Sequence, residues 1–514
     1  MAGAEARSRS QAVRRAGEIA FALWFILSLI TPSWRYGPFA WLPLVSYEEL
    51  AGAPMRVGLA NVLPLIVVAC TALVRWRGRS RAPWTWGPAA LSLPLAGLTV
   101  LGTLSLDRSN FRLVFIYVGM YALAWLVYLY VLNERPRLLA PIAAVLLIQG
   151  AVAIGQFLAQ RDLGLAPLGE LPLHPAHEGN SVLWARGQPW LRAYGLTIHP
   201  NLLGAMMTAL LLLALPAVHR TRGAGRVALV GAIAVGGAGL FLSFSRASWL
   251  GFAAGLIVWG VLAWWGRRGS PGAAGEGATH DPCVAPSAVR RTLPEAQAEG
   301  ATHFGKCDAP GAEGEGATHF RKWGAPRWDA PKVARAASWV LGVALVLVVA
   351  LAYRDLIFSR FFALDTPTEA KSISERLRDA ALALDVIRDR PLTGVGLGEY
   401  VDVAQQVDDA AVRVHNAALL VAAELGLPGL LLWLWLMVAP FWLWLRPGGA
   451  ARRARVAPGP SLAPWVAMLV VNTFDTTLWL SGNWQTAILF ALLAAHVVAS
   501  RSVSQSRSVG QWVS

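Results

Sequence analysis

Cysteine is nearly absent from this chain, with three residues in 514 at Cys70, Cys283 and Cys307. So few thiols supply no disulfide framework. Charge is also scarce, at 15% of residues against 55% apolar, which leaves too little polar surface to cover a large soluble globule. No GKS or GKT follows the glycines of the chain, so a nucleotide-phosphate cradle is unsupported. No paired Asp/Glu arrangement calls for a divalent metal, and no cofactor or metal is expected. The first apolar stretch ends in Thr31-Pro32-Ser33-Trp34, which lacks the small residues of a cleavage signal and reads as the end of a retained helix.

What is abundant is apolar length. Runs near 19–31, 57–74, 84–106, 111–132, 138–158, 199–217, 227–244, 248–265, 336–352, 416–445, 462–480 and 484–499 predict an all-α, polytopic integral membrane protein of about twelve transmembrane helices. If each run spans once, the arginine clusters at 7–15, 75–81, 220–226 and 446–455 share one side, so both termini are expected in the cytoplasm. The opposite side then receives 32–56, 159–198 and 353–415, the last carrying 8 Lys/Arg against 11 Asp/Glu. The net charge of +15 is explained by lipid headgroups beside short basic turns, and nucleic acid is not expected as a partner.

Three segments follow: N-terminal membrane helices over 1–265, an insert over 266–335, and C-terminal membrane helices over 336–514. The insert repeats GEGATH at 275–280, EGATHF at 299–304 and GEGATHF at 314–320, with little apolar content, and reads as a flexible cytoplasmic segment. His280, His303 and His319 do not combine with Cys283 and Cys307 at finger spacing. The exported loop 353–415 is expected to be partly helical, because Ile373, Leu377, Ala380, Leu384 and Ile387 recur along one helix face. Pro391 stops that helix and Gly394, Gly396 and Gly398 turn the chain, while Arg376 and Asp379 sit off the stripe where they could face a polar cavity.

Charge at the mouths of membrane helices costs free energy unless it meets a partner, so the basic groups there are candidates for function. Arg192 and His199 precede the run at 199–217, Arg246 occupies the break between two runs, Arg376 lies on the loop helix, and His415 opens the run at 416–445. Guanidinium groups hold pyrophosphate oxygens in a bidentate fork, and one imidazole can orient or deprotonate an acceptor hydroxyl. Each residue also has a plain reading. Arg192 and Arg246 suit a membrane interface, His199 before Pro200 and Asn201 suits a helix opening, and Asn416 beside His415 suits a cap. Glu424 and Asp475 lie within apolar runs and are expected to face the bundle interior as structural partners.

These motifs together resemble the bacterial O-antigen ligases and the related O-antigen polymerases. The resemblance rests on Arg192-Ala193-Tyr194-Gly195 with His199-Pro200-Asn201, on Ser245-Arg246-Ala247, on Arg376 fifteen residues before Pro391, and on His415-Asn416 with Glu424-Leu425-Gly426-Leu427-Pro428-Gly429. It covers roughly 90–500 apart from the insert. It implies metal-independent, inverting transfer of a glycan from undecaprenyl pyrophosphate to a hydroxyl acceptor at the outer face of the cytoplasmic membrane. Arg246, Arg376 and His415 would then be catalytic, with Arg192, His199, Asn201 and Asn416 around the substrate. The acceptor would be a lipid A core for a ligase, or a growing surface polysaccharide for a polymerase. Ala380 stands where an aromatic residue is usual, and the insert is not a family feature. A transporter or flippase of lipid-linked glycans shares the many spans and interior charges, but the candidate residues gather at one face and no inverted repeat is evident.

Overall fold

The computed structural model describes residues 2–30, 45–47, 55–57, 59–77, 84–109, 111–185, 187–268, 351, 353–362, 367–445, 459–479 and 484–503. The expected insert, from residue 269 onward, and the apolar run at 336–352 lie outside these residues, apart from 351, as do Cys283, Cys307 and the basic cluster at 446–455. Residues 1–270 and 354–514 belong to one compact unit.

In chain order this unit contains α1 (Ala2–Ile30), β1 (Val45–Tyr47), β2 (Met55–Val57), α2 (Leu59–Arg77), α3 (Ala89–Ser105), α4 (Phe111–Glu134) and α5 (Leu139–Ala159). After these come β3 (Val182–Ala185), β4 (Gln188–Leu191), α6 (Pro200–Ala214), α7 (Gly223–Leu242) and α8 (Arg246–Arg268). The C-terminal part has α9 (Arg354–Phe362), α10 (Pro367–Asp389), α11 (Tyr400–Gln405), α12 (Ala417–Leu445), α13 (Gly459–Phe474) and α14 (Trp484–Val503).

The expectation of about twelve transmembrane helices is corrected. Among the described residues, six helices are long and apolar enough to cross a membrane: Ile116–Glu134, Leu139–Ala159, Pro200–Ala217, Gly223–Leu242, Arg246–Trp265 and Ala417–Leu445. Four further apolar helices, Leu63–Arg75, Ala89–Ser105, Leu462–Phe474 and Gln485–Ala499, are shorter than a span requires. The reasons are local. The run at 19–31 is the end of α1, whose first half carries Arg7, Arg9, Arg14 and Arg15, and α13 stops at Phe474 because the chain turns at Asp475, whose Oδ1 accepts the Thr476 N–H at 2.7 Å. The architecture is mostly helical rather than all-α, with two short antiparallel pairs, β1–β2 and β3–β4, among the described residues. The chain is a polytopic membrane protein.

Close helix contacts set the frame. α8 and α13 run antiparallel with glycine against backbone: a Cβ on Gly255 would stand 3.0 Å from the Ala463 carbonyl oxygen, and one on Gly251 2.6 Å from that of Ala467. Each step moves four residues on both helices, so one further turn sets Ala247 opposite Val471. The same register brings the Arg246 end of α8 beside the Asp475 end of α13. Fully buried Trp24, Trp465 and Trp479 fill the space between helices.

Along α10, Leu377 and Leu384 of the apolar stripe read from the sequence are exposed, while Ala380 and Ile387 are half-buried. Its inward face is Asp379, Ala383 and Val386, which packs toward α12.

Candidate functional site

Two buried glutamines on α5 hold the chain that leads into α6. Gln156 Nε2 donates to the Gly195 carbonyl at 2.8 Å and its Oε1 accepts the Tyr194 N–H at 3.1 Å. About two turns earlier on α5, Gln149 Oε1 accepts the Leu196 N–H at 2.7 Å. With these ties the Arg192-Ala193-Tyr194-Gly195 segment is fixed before the helix starts. His199 then caps α6, its Nδ1 accepting the Asn201 N–H at 3.2 Å, and Pro200 occupies the first helical position.

Arg192 is 4% exposed and its guanidinium is spent inside the protein. Nε donates to the Ser243 carbonyl at 2.9 Å, one terminal nitrogen to Ser181 Oγ at 2.7 Å, and the other to Asn201 Oδ1 at 2.7 Å. The side chain therefore joins the β3 approach, the α6 entrance and the α7–α8 turn. That turn is tight: Phe244 is fully buried at φ +47°, and Ser243, Ser245 and Ser248 are buried with Ser248 Oγ 2.9 Å from Ser245 Oγ. Arg246 follows at the start of α8, half-buried.

The second group of candidates surrounds the entrance to α12. Asn416 caps the helix, its Oδ1 accepting the Leu419 N–H at 3.0 Å, while its Nδ2 donates to the Thr473 carbonyl at 3.1 Å and ties α12 to the end of α13. His415 beside it is half-buried, within electrostatic reach of Asp475, Arg376, Asp379 and Arg413. Burial holds its imidazole below the ordinary pKa; Asp475 and Asp379 oppose that shift and the two arginines add to it. At neutral pH the ring is therefore a neutral proton acceptor.

Asp379 has no exposed surface, and burial pushes its pKa up against the Arg378 guanidinium 3.4 Å away. Arg378 also reaches the Ala410 carbonyl at 3.1 Å and Asp408 at 3.2 Å, so it pins α10 to the chain just before His415. The Tyr400 hydroxyl donates to the Asp379 carbonyl at 3.1 Å.

A third layer lies behind the histidine. α12 is broken at Gly426, which takes φ +67°, and the Gly394-to-Gly398 segment docks into the break. Val395 N–H donates to the Ala423 carbonyl at 2.9 Å, Gly396 N–H to that of Glu424 at 3.0 Å, and Leu427 N–H to that of Pro391 at 2.7 Å. The Glu424 side chain is buried and its Oε2 accepts the Trp479 Nε1–H at 2.7 Å.

Of the residues picked from sequence, Arg192, His199 and Asn201 are thus joined around one turn, and Arg376, His415 and Asp475 gather at another. Arg246 starts α8, which packs antiparallel along α13, the helix that precedes Asp475. Asn416 and His199 cap α12 and α6, and Glu424 is buried against Trp479. Asp475 differs, standing in the turn after α13 and not within a helix. Sequence reasoning passed over Gln149, Gln156, Arg378, Arg413 and Trp479. A glutamine inside a long apolar run was the one available signal for the first two, since it needs a partner there.

No curated protein matches the chain. A family model described as O-antigen ligase matches residues 318–434. That segment contains Arg376, Asp379, the glycine turn, His415, Asn416 and Glu424, whereas Arg192, His199, Arg246 and Asp475 lie outside it. Over that segment the chain is similar to the O-antigen ligases.

Proposed function

We propose that the protein transfers a glycan from undecaprenyl pyrophosphate to a hydroxyl acceptor, lipid A core or growing surface polysaccharide, on the outer face of the cytoplasmic membrane. The observation that carries this reading is His415 at a helix entrance, its pKa lowered by burial, with Arg376 and Asp475 within electrostatic reach; Arg246, at the start of the α8 that packs along α13, is assigned to the same site. The acceptor oxygen attacks the anomeric carbon, the bond from that carbon to the pyrophosphate oxygen breaks, and the acceptor proton passes to His415. Lipid pyrophosphate leaves with the bonding electron pair, its charge held by the Arg246 and Arg376 guanidinium groups, with inversion at the transferred sugar. Asp475 orients and stabilises the imidazolium as it forms.

Arg192 and Asn201 serve this site by shaping the turn that presents Arg246, and His199 and Asn416 by fixing the entrances of α6 and α12. The residues themselves supply the electrostatics in this scheme, without a metal. The test is transfer by the purified protein, supplied with a lipid-pyrophosphate glycan and alternative acceptors, reading release of the lipid carrier. Retention of the glycan on its carrier with every acceptor, by folded protein that binds the donor, would overturn the proposal.

A further inference from the structure

The chain between α5 and α6 carries a polar cavity that the transfer chemistry above does not use. It has a volume of about 600 Å³ and is lined by Arg161, Asp162, Gly164, Leu173, His174 and His177. That volume lies within the range of small-molecule sites, about 300–1,000 Å³.

Its walls are built rather than loose. Buried Glu170 accepts the Leu163 N–H at 2.9 Å, the Leu165 N–H at 2.6 Å and Gln156 Nε2 at 2.8 Å, so one carboxylate pins the rim of the cavity to α5. Asp162 N–H donates to the Leu173 carbonyl at 3.1 Å, closing the loop between them. A turn from His174 to His177 places the two imidazoles 5.4 Å apart.

The charges then decide what the cavity takes. The Asp162 carboxylate is occupied by backbone donors, Oδ1 by Gly164 N–H at 3.3 Å and Oδ2 by Leu173 N–H at 3.2 Å. Among the described residues, the Arg161 guanidinium has no hydrogen-bond or ion-pair partner and is exposed at the cavity. His174 Nδ1 accepts the Ala176 N–H at 3.2 Å, which makes Nε2 its donor. A guanidinium and an imidazole N–H lining one cavity, with the Asp162 carboxylate turned to backbone donors, can hold an anionic group, and the open space at Gly164, where a Cβ would meet nothing within 4 Å, leaves room for a sugar ring.

We propose that this cavity is a subsite for an acidic saccharide, a sugar ring bearing a carboxylate or phosphate group, which Arg161 and His174 hold through that group while His177 packs beside the ring. The inference rests on the reading of the protein as a glycan transferase, since it names a class of glycan that the transferase would handle.

The test is direct binding to the full-length protein in nanodiscs, which needs no turnover and so fails or succeeds apart from the transfer reaction. The probes are a uronic-acid trisaccharide, a sugar phosphate, a neutral trisaccharide of the same length, and inorganic phosphate. Binding of the two acidic saccharides above the neutral one, weakened by about tenfold in Arg161→Gln and again in His174→Ala, is the expected result. Equal binding of acidic and neutral sugars, binding of inorganic phosphate as tight as that of the sugars, or unchanged affinity in both variants would overturn it. Nanodiscs with and without an anionic lipid separate the remaining source of negative charge: competition by that lipid alone, with no saccharide bound, counts against the proposal. Circular dichroism and thermal unfolding establish that both variants, at exposed positions, keep the fold.

Discussion

Gly394→Ala tests whether the glycine turn holds the proposed catalytic loop against α12. Gly394 takes φ +65°, and a Cβ added there would overlap the Glu424 carbonyl group and crowd the Gly426 nitrogen at 2.7 Å. A left-handed backbone costs a non-glycine residue about 1–2 kcal/mol, and forcing a carbon into packed backbone about 1–3 kcal/mol more. The colliding atoms are main chain and cannot swing aside, so the total should approach about 2–5 kcal/mol. The Val395 and Gly396 bonds to α12 are the first to open. Gly223→Ala is the control, because Gly223 has a similar φ of +58° with nothing within 4 Å of its Cβ, leaving only the backbone cost of about 1–2 kcal/mol. Thermal unfolding in one detergent, with transfer measured at a temperature where both variants stay folded, separates stability from function. Gly394→Ala should unfold earlier than the control and transfer more slowly. A wild-type melting curve and rate for Gly394→Ala, or an equal loss in Gly223→Ala, would refute the reasoning.

His415→Ala should still bind the lipid-linked donor but transfer about 10² to 10⁴-fold more slowly, read by parallel binding and turnover assays. Because burial lowers the His415 pKa, the neutral ring persists further into acid than a free histidine would; the acid limb of kcat against pH should lie below the usual histidine range and vanish in His415→Ala. Arg246→Lys and Arg376→Lys should each slow turnover strongly despite the retained charge, since an ammonium lacks the planar fork, and near-normal rates at confirmed abundance would remove both from the donor site. Trp479→Phe removes the 2.7 Å donor to buried Glu424 and should cost about 1–3 kcal/mol of stability in denaturant titrations.

The helix entrances were legible because polar residues at apolar boundaries have few physical options. Asn416 beside an apolar run reads as a cap, and it is one. His199 before Pro200 likewise opens α6. Length was the weaker guide: hydropathy alone joined Asp475 to the run before it, whereas the aspartate terminates α13 by accepting a backbone N–H in the next turn. The β3–β4 hairpin is four residues on each strand, too short for alternation to stand out from its surroundings. Contacts distant in sequence left no trace at all. Nothing around Trp479 announces Glu424, and Gly394 and Gly426 each look like an ordinary turn until their backbones are brought together. Arg192 also illustrates how sequence identifies an important residue without its task, since three protein acceptors occupy a side chain that an interface reading would leave facing solvent or headgroups.

The broken helix α12 has a mechanical consequence. Its first half carries His415 at the tip, while the segment seated in its break continues directly from α10, which carries Arg376, and Arg378 fastens α10 again at Ala410. Two attachments make the histidine and this arginine a single lever, and neither can swing without dragging the other. Arg246 is held by separate ties, the Arg192 knot and the start of α8. At its tip the lever is tied to the end of α13 by Asn416 Nδ2 donating to the Thr473 carbonyl, and farther along α12 by Trp465 Nε1 donating to the Met437 carbonyl and Trp479 Nε1 to Glu424.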